Sequence, residues 1–402
     1  MHSAPCGRPS RTAERTADAK DGVRPQFFIW VHLAAIVGTI FSMAKRILLT
    51  VGTRKGCFLL ESDEGRRDWE VRGPFCDGWP IYHALLDPVS ARIYASAASE
   101  WHGAGVWRSA DLGETWDLSS EGIAYPEGEL KLSKITGLSA AHGRVRVGAE
   151  AAGVFESTDG GATWSLVSTL DGQPGRGSWN DPSKQPPGHL GMAAIMPHPD
   201  EPDRYWVIVQ GYGIFETSDN GGSWEPRNTG LRAEWPLEDE RVGYCVHKLV
   251  MSPVDQSRLY QQNHCGMHRS DDAGHTWTEV TNGLPTDFGF VAAAHPHDRD
   301  SFYVIPLDPG HNRCVPDGAV AVWRTSDAGS TWRRLDRGLP QRDAHVGVLR
   351  EGLAIDSLDQ PGLYFGTSTG QVFASADEGE SWGEIASYLP AISSVEVALV
   401  DA

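Results

Sequence analysis

Ser157-Thr158-Asp159-Gly160-Gly161-Ala162-Thr163-Trp164 is the stretch this 402-residue chain repeats. It returns at Ser109–Trp116, Thr217–Trp224, Ser270–Trp277, Thr325–Trp332 and Ser375–Trp382, with a worn copy, one residue longer, from Ser62 to Trp69. The pattern is [Ser/Thr]-x-Asp-x-Gly-x-[Thr/Ser]-Trp. An Asp at this place can bond its own backbone a residue or two ahead, and the Gly supplies the positive φ that closes a tight turn. The hydroxyl residues tie the loop ends, and the Trp brings a large apolar face to bury. Short alternating runs such as Gly153-Val154-Phe155-Glu156 and Gly213-Ile214-Phe215-Glu216 precede the copies. A period of two, then a turn, then another strand is a β-hairpin signal.

The motif resembles the Asp box of the sialidase-type, or BNR, repeat family, and the resemblance runs from about Met43 to the end. In that family the box lies in the turn between the third and fourth strands of a propeller blade. The spacing agrees independently. The marker aspartates at 63, 111, 159, 219, 272, 327 and 377 are 48 to 60 residues apart, which suits four short strands and four turns per repeat. With strands lettered A to D from the axis outward, six repeats supply all four. The first supplies only B (46–51), C (56–60) and D (near 69–71). The chain end, Ser394-Val395-Glu396-Val397-Ala398-Leu399-Val400, has no partner of its own. It is expected to be the missing A strand, closing an all-β, seven-bladed β-propeller and removing two sheet edges.

Composition fits this. Glycine (45) and tryptophan (15) are both plentiful, as short strands and tight turns require. A net charge of −18 argues against nucleic acid or an anionic membrane as the partner. The six cysteines show no Cys-x-x-Cys pair, so they read as reduced thiols. Residues 1–42 differ in kind and are expected to be a non-globular extension ahead of a propeller domain at 43–402. Phe27–Phe41 is an apolar run of 15 residues, short for a membrane span. It reads either as a signal or anchor, giving an exported or membrane-attached protein, or as sequence upstream of a natural start at Met43, giving a cytoplasmic one. No oligomer is expected, and contact with a membrane only if 27–41 is an anchor.

In a propeller the box turns lie on one face, while the D-to-A and B-to-C loops lie on the other, around a central funnel. The boxes therefore read as structural, and chemistry belongs at the funnel. Three dipeptides, Tyr82-His83, His247-Lys248 and Arg350-Glu351, fall at similar places just before apolar A strands. Around them the loops bring Arg54, Glu100, Trp101, Lys131, Tyr244, His264, Asp287 and Arg313. The longest insertion, 172–188, carries Trp179 and could act as a lid. The histidines beside Pro199 and Pro296 sit at equivalent A-to-B turns and read as structural.

Three functions are open. The resemblance implies a glycoside hydrolase, since sialidases hold a carboxylate with three arginines and pair a Glu-activated Tyr with an Asp. Arg54, Arg313 and Arg350, with Tyr82 or Tyr244, Glu351 or Glu100, and Asp287, are the residues that could take those roles. The family's Arg-Ile-Pro segment is absent. The expected catalytic set is Glu351, Tyr82, Asp287 and Glu100. The expected ligand-binding set is Arg54, His83, Lys131, His247, Lys248, His264, Arg313, Arg350, Trp101 and Trp179. The ligand would be a carbohydrate or related small polar molecule, with no cofactor. Alternatively the propeller is a non-catalytic binding or assembly module. The third reading is a transition-metal site, with His83, His247 and His264, together with His345 or His189, converging on the axis.

Overall fold

The computed structural model describes residues 45–99, 103–128, 130–179, 191–233 and 237–401. The expectation for residues 1–42 lies outside them. Seven four-stranded antiparallel sheets are present among the described residues. No helix among them is long and apolar enough to cross a membrane. The A strands are Ile392–Asp401, Ile81–Asp87, Ile135–Ala141, Met192–Pro197, Val246–Ser252, Gly289–Ala294 and Leu353–Ile355, for blades one to seven. Each lies against the A strand of the next blade, and the last meets the first, so the ring is closed.

Closure follows the expected route. The C-terminal strand pairs antiparallel with Lys45–Thr53, setting Leu49 against Val397 and Val51 against Val395. A buried latch on the box face reinforces the join. Arg66, in the worn first box, donates to both carboxylate oxygens of Asp356 at 2.8 and 2.9 Å, and to the Tyr364 hydroxyl at 2.9 Å. The Arg66 and Asp356 side chains are only 5% and 0% exposed.

The box turns have the wiring their residue types demand. In blade two Ser109 donates to Asp111 Oδ1 at 2.8 Å and accepts from the Gly113 amide at 2.8 Å. Asp111 accepts from the Thr115 amide at 2.9 Å and its hydroxyl at 2.6 Å. The same pattern recurs at Asp159, Asp219, Asp272, Asp327 and Asp377. Thr115 and Trp116 are thereby held in the turn, and the D strand starts only at Asp117.

In four blades the box Trp also staples its blade to the preceding one. The indole N–H groups of Trp164, Trp224, Trp277 and Trp332 donate to Ser119, Ser168, Arg227 and Val280 of the blade before. It also explains a glycine that follows the D strand in three blades. Gly338 has φ +93° and lies so close to Trp382 that a Cβ there would come 2.1 Å from its carbonyl oxygen. Gly122 and Gly230 press on Trp164 and Trp277 in the same way.

The A strands share one irregularity. In blades one to six the pairing with strand B slips by one residue at the funnel end, for example between Ile81 and His83 and between Val246 and Lys248. A bulge places two residues opposite one and re-aims side chains. In blades two and five it separates Tyr82 from His83 and His247 from Lys248.

Candidate active site at the funnel mouth

The bulge in blade five turns His247 sideways toward blade six and leaves Lys248 facing the axis. Lys248 lines a cavity of about 330 Å3, walled mainly by apolar A-strand residues such as Met196, Val250, Ala293, Ala354 and Val397. Glu396 lines it from the opposite side of the ring. Here four blades contribute one charged or titratable group each. Lys248 forms an ion pair with Glu351, and His83 Nε2 lies 3.1 Å from Glu396 Oε1. Ligand atoms of His83, Glu351 and Glu396 all fall within 4.8 Å of one another.

The four groups differ in access to water. Glu351 is 5% exposed and Lys248 13%, while Glu396 is 34% exposed. Burial opposes the charge on Glu351, but the Lys248 and His83 charges overcome it and hold the carboxyl below its usual range. Burial likewise opposes the Lys248 ammonium, and Glu351 with Glu396 raises it above the ordinary lysine value. The pair is therefore ionised, with the more open Glu396 beside it.

A second cluster lies at the seam of blades five and six. His247 is enclosed by Phe288 and Phe290, at ring separations of 5.4 and 4.4 Å, and meets His264 at 4.7 Å. Its Nδ1 is 2.6 Å from the Gly289 carbonyl oxygen and its Nε2 is 3.8 Å from Cys245 Sγ. Burial, then the Arg350 charge, push His247 far below the usual imidazole range. The guanidinium groups of Arg350 and Arg313 lie 5.3 and 5.5 Å from the Phe290 ring.

The structure thus gathers His83, His247, Lys248, His264, Arg313, Arg350 and Glu351 into two adjoining clusters. Other expected residues go elsewhere. Asp287 pairs with Arg232 at 3.1 Å on the exposed rim, and Arg54 and Lys131 are exposed. Tyr82 is half-buried, and the Tyr244 hydroxyl donates to the Glu240 carbonyl at 2.8 Å. Glu100, Trp101 and His189 lie outside the described residues. Trp179 offers no ligand platform: it is fully buried, stacked on Tyr212 at 4.5 Å. The metal grouping also changes, because His83 turns to Glu396 and His345 stays exposed. His198 and His295 do cap turns, accepting from the Glu201 and His297 amides.

Two residues were missed by sequence reasoning. Glu396 was read only as part of a closing strand, although a charge between Val395 and Val397 on an innermost strand marks an inward-facing polar group. Cys245 was read as one reduced thiol among six. Its spacing of two from His247 was the available signal.

The BNR/Asp-box repeat family model matches residues 155–166. A Paenibacillus sp xyloglucanase is 26% identical over 195 residues, 42% of this chain and 18% of that protein. Xyloglucanase Xgh74A of Acetivibrio thermocellus is 24% identical over 223 residues, 49% of this chain and 26% of that protein. The chain thus spans about a quarter or less of the length of the curated relatives it matches. Among solved structures, an ancestral GH74 enzyme aligns with a TM-score of 0.50 at 15% identity, covering 79% of this chain and 38% of that one. Apo AztD of Citrobacter koseri aligns at 0.54 and 11% identity, covering 89% and 98%. At these identities the solved structures speak to the fold alone. Six boxes wired alike, seven closed blades and the matched repeat lead to one conclusion: the chain is a seven-bladed β-propeller built on BNR/Asp-box repeats.

Proposed function

We propose that the chain is a glycoside hydrolase acting on a small carbohydrate at the funnel mouth, with Glu351 and Glu396 as its two carboxyl groups. The observation that carries this is their approach: ligand oxygens within 4.8 Å, from blades seven and one, with one group ionised beside Lys248. Retaining glycosidases hold their two carboxyls about 5–5.5 Å apart, whereas inverting ones need about 6.5–9.5 Å to admit a water. The short spacing favours retention.

In this reading Glu351, kept as a carboxylate, attacks or stabilises the anomeric carbon as positive charge develops there. Glu396, more open and 3.1 Å from His83 Nε2, relays a proton from that imidazole to the leaving oxygen and later takes one from water. The apolar A-strand wall lowers the local dielectric and strengthens both roles. The curated relatives named as xyloglucanases support a carbohydrate substrate for this chain.

The test is a panel of aryl glycosides, a sialoside and a xylogluco-oligosaccharide included, with wild type, Glu351→Gln and Glu396→Gln. Turnover by wild type with retained anomeric configuration is expected, falling about 10²–10⁴-fold in either variant. Absence of turnover on every substrate, or variants as active as wild type, removes the proposal.

A further inference from the structure

We propose that Cys245, His247 and His264 form a binding site for a divalent transition-metal ion, zinc being the ion they fit best, at the seam between blades five and six. One ligand atom from each residue lies within 4.8 Å of the other two. The Cys245 Sγ to His247 Nε2 distance is 3.8 Å. Tetrahedral zinc with bonds of about 2.3 Å to sulfur and about 2.0 Å to nitrogen sets those atoms roughly 3.5 Å apart. For that pair a few tenths of an ångström of side-chain movement therefore suffices.

The tautomer of His247 is already set for ligation. A carbonyl oxygen can only accept, so the 2.6 Å contact to Gly289 puts the proton on Nδ1. Nε2 is left with its lone pair directed toward Cys245. A carbonyl holding the far nitrogen is the usual support of a metal-bound imidazole, because it fixes the ring and raises its basicity. Phe288 and Phe290 supply a dry wall on two sides, while Cys245 and His264 remain partly exposed toward the funnel. Three protein ligands and one open side describe a site with room for an exogenous ligand, unlike a closed structural centre.

Arg350 and Arg313 stand beside the cluster, and their charges oppose a bare cation. The Cys245 thiolate offsets part of that repulsion. The same two guanidinium groups would hold an anion, such as a carboxylate, on the open coordination position. Zinc affinity is therefore expected to rise when acetate is added. This site is distinct from the Glu351–Glu396 pair, and its test reads metal and not turnover.

The full chain is stripped with chelator and titrated with zinc chloride, bound metal being measured by mass spectrometry, and a parallel sample is loaded with cobalt(II). About one equivalent of zinc is expected, with a thiolate-to-cobalt charge-transfer band in the near ultraviolet. Cys245→Ser should abolish the band, and Cys245→Ser and His264→Ala should each weaken zinc binding at least roughly tenfold. Bound zinc should also slow alkylation of Cys245 in the unaltered chain, a readout that does not depend on any variant folding. Less than about a tenth of an equivalent bound at saturating zinc overturns the proposal. So does binding that survives both substitutions, or that is lost only in Glu396→Gln, which would place the metal at His83, Glu351 and Glu396.

Discussion

Substituting either member of the Lys248–Glu351 pair alone should destabilise the propeller far more than substituting both. The two side chains are 13% and 5% exposed, so whichever is left behind is a charge with little water. Breaking a buried pair by removing one partner costs about 3–5 kcal/mol, while replacing both with apolar groups is often close to neutral. Neighbours soften the single losses here. Lys248 keeps the attraction of Glu396, and Glu351 keeps His83 and Arg350. Glu351→Leu and Lys248→Met are therefore placed near the lower end, about 3 kcal/mol each. The double variant should lose no more than about 1 kcal/mol, giving a coupling energy of about 5 kcal/mol. Urea unfolding followed by tryptophan fluorescence and by circular dichroism measures each corner of the cycle. Repeating it at about 1 M salt should leave the coupling nearly intact, because screening reaches buried pairs weakly. A coupling below about 0.5 kcal/mol, or one that vanishes in salt, would mean that the pair behaves as a solvated surface contact. The electrostatic account of Glu351 would then fail with it.

The latch between the first and last blades should be as sensitive. Arg66→Met leaves the buried Asp356 carboxylate with Tyr364 as its remaining hydrogen-bond donor from a side chain, and a loss of about 3–5 kcal/mol by urea unfolding is expected. Gly338→Ala meets a carbonyl at 2.1 Å in a left-handed conformation, and should cost at least about 2 kcal/mol in the same assay; a change under about 0.5 kcal/mol would show that the linker yields freely. The boxes predict acid lability. Hydrogen bonds from Thr115 and Ser109 hold Asp111 at about 2, and Ser223 and Thr331 lower Asp219 and Asp327 in the same way. A carboxylate depressed in the folded state stabilises it above the unfolded value of about 3.9 and loses that contribution as pH falls through the native value. Urea midpoints should therefore drop between about pH 4 and pH 2, and Asp111→Asn should flatten part of that slope.

Sequence and structure agree where the determining contacts are local. Each Asp box closes on itself within five residues, so its identity, spacing and number could be read directly, and blade count and ring closure followed. The three dipeptides stand out in the sequence, but the bulge that sends His247 and Lys248 different ways does not, because a period of two does not encode it. Contacts between blades were not legible either. His83 meets Glu396 across 313 residues and Lys248 meets Glu351 across 103, and no local pattern encodes those distances. Trp179 shows the converse failure. A Trp in a Gly- and Pro-rich insertion reads as exposed, yet Arg176 covers one side at 5.1 Å and Tyr212 stacks on it.

The two faces of the ring divide the labour in a way that explains why the recurring motif and the candidate chemistry do not overlap. On the box face the polar wiring is repeated: Ser or Thr to Asp, Asp to amide, and in four blades Trp to the blade before. Such wiring gains nothing from variation, and a substitution there costs stability alone. At the funnel mouth the bulge recurs in six blades, yet the side chains presented differ from blade to blade: His83, His247 with Lys248, Phe290, Glu351, Glu396. Convergence of unlike groups on one axis needs the rigid repetition of the other face to hold them within hydrogen-bonding distance. Weakening a latch such as Arg66–Asp356, far from the axis, should therefore loosen Glu396 before it unfolds the chain, since the same strand both closes the ring and carries that carboxylate.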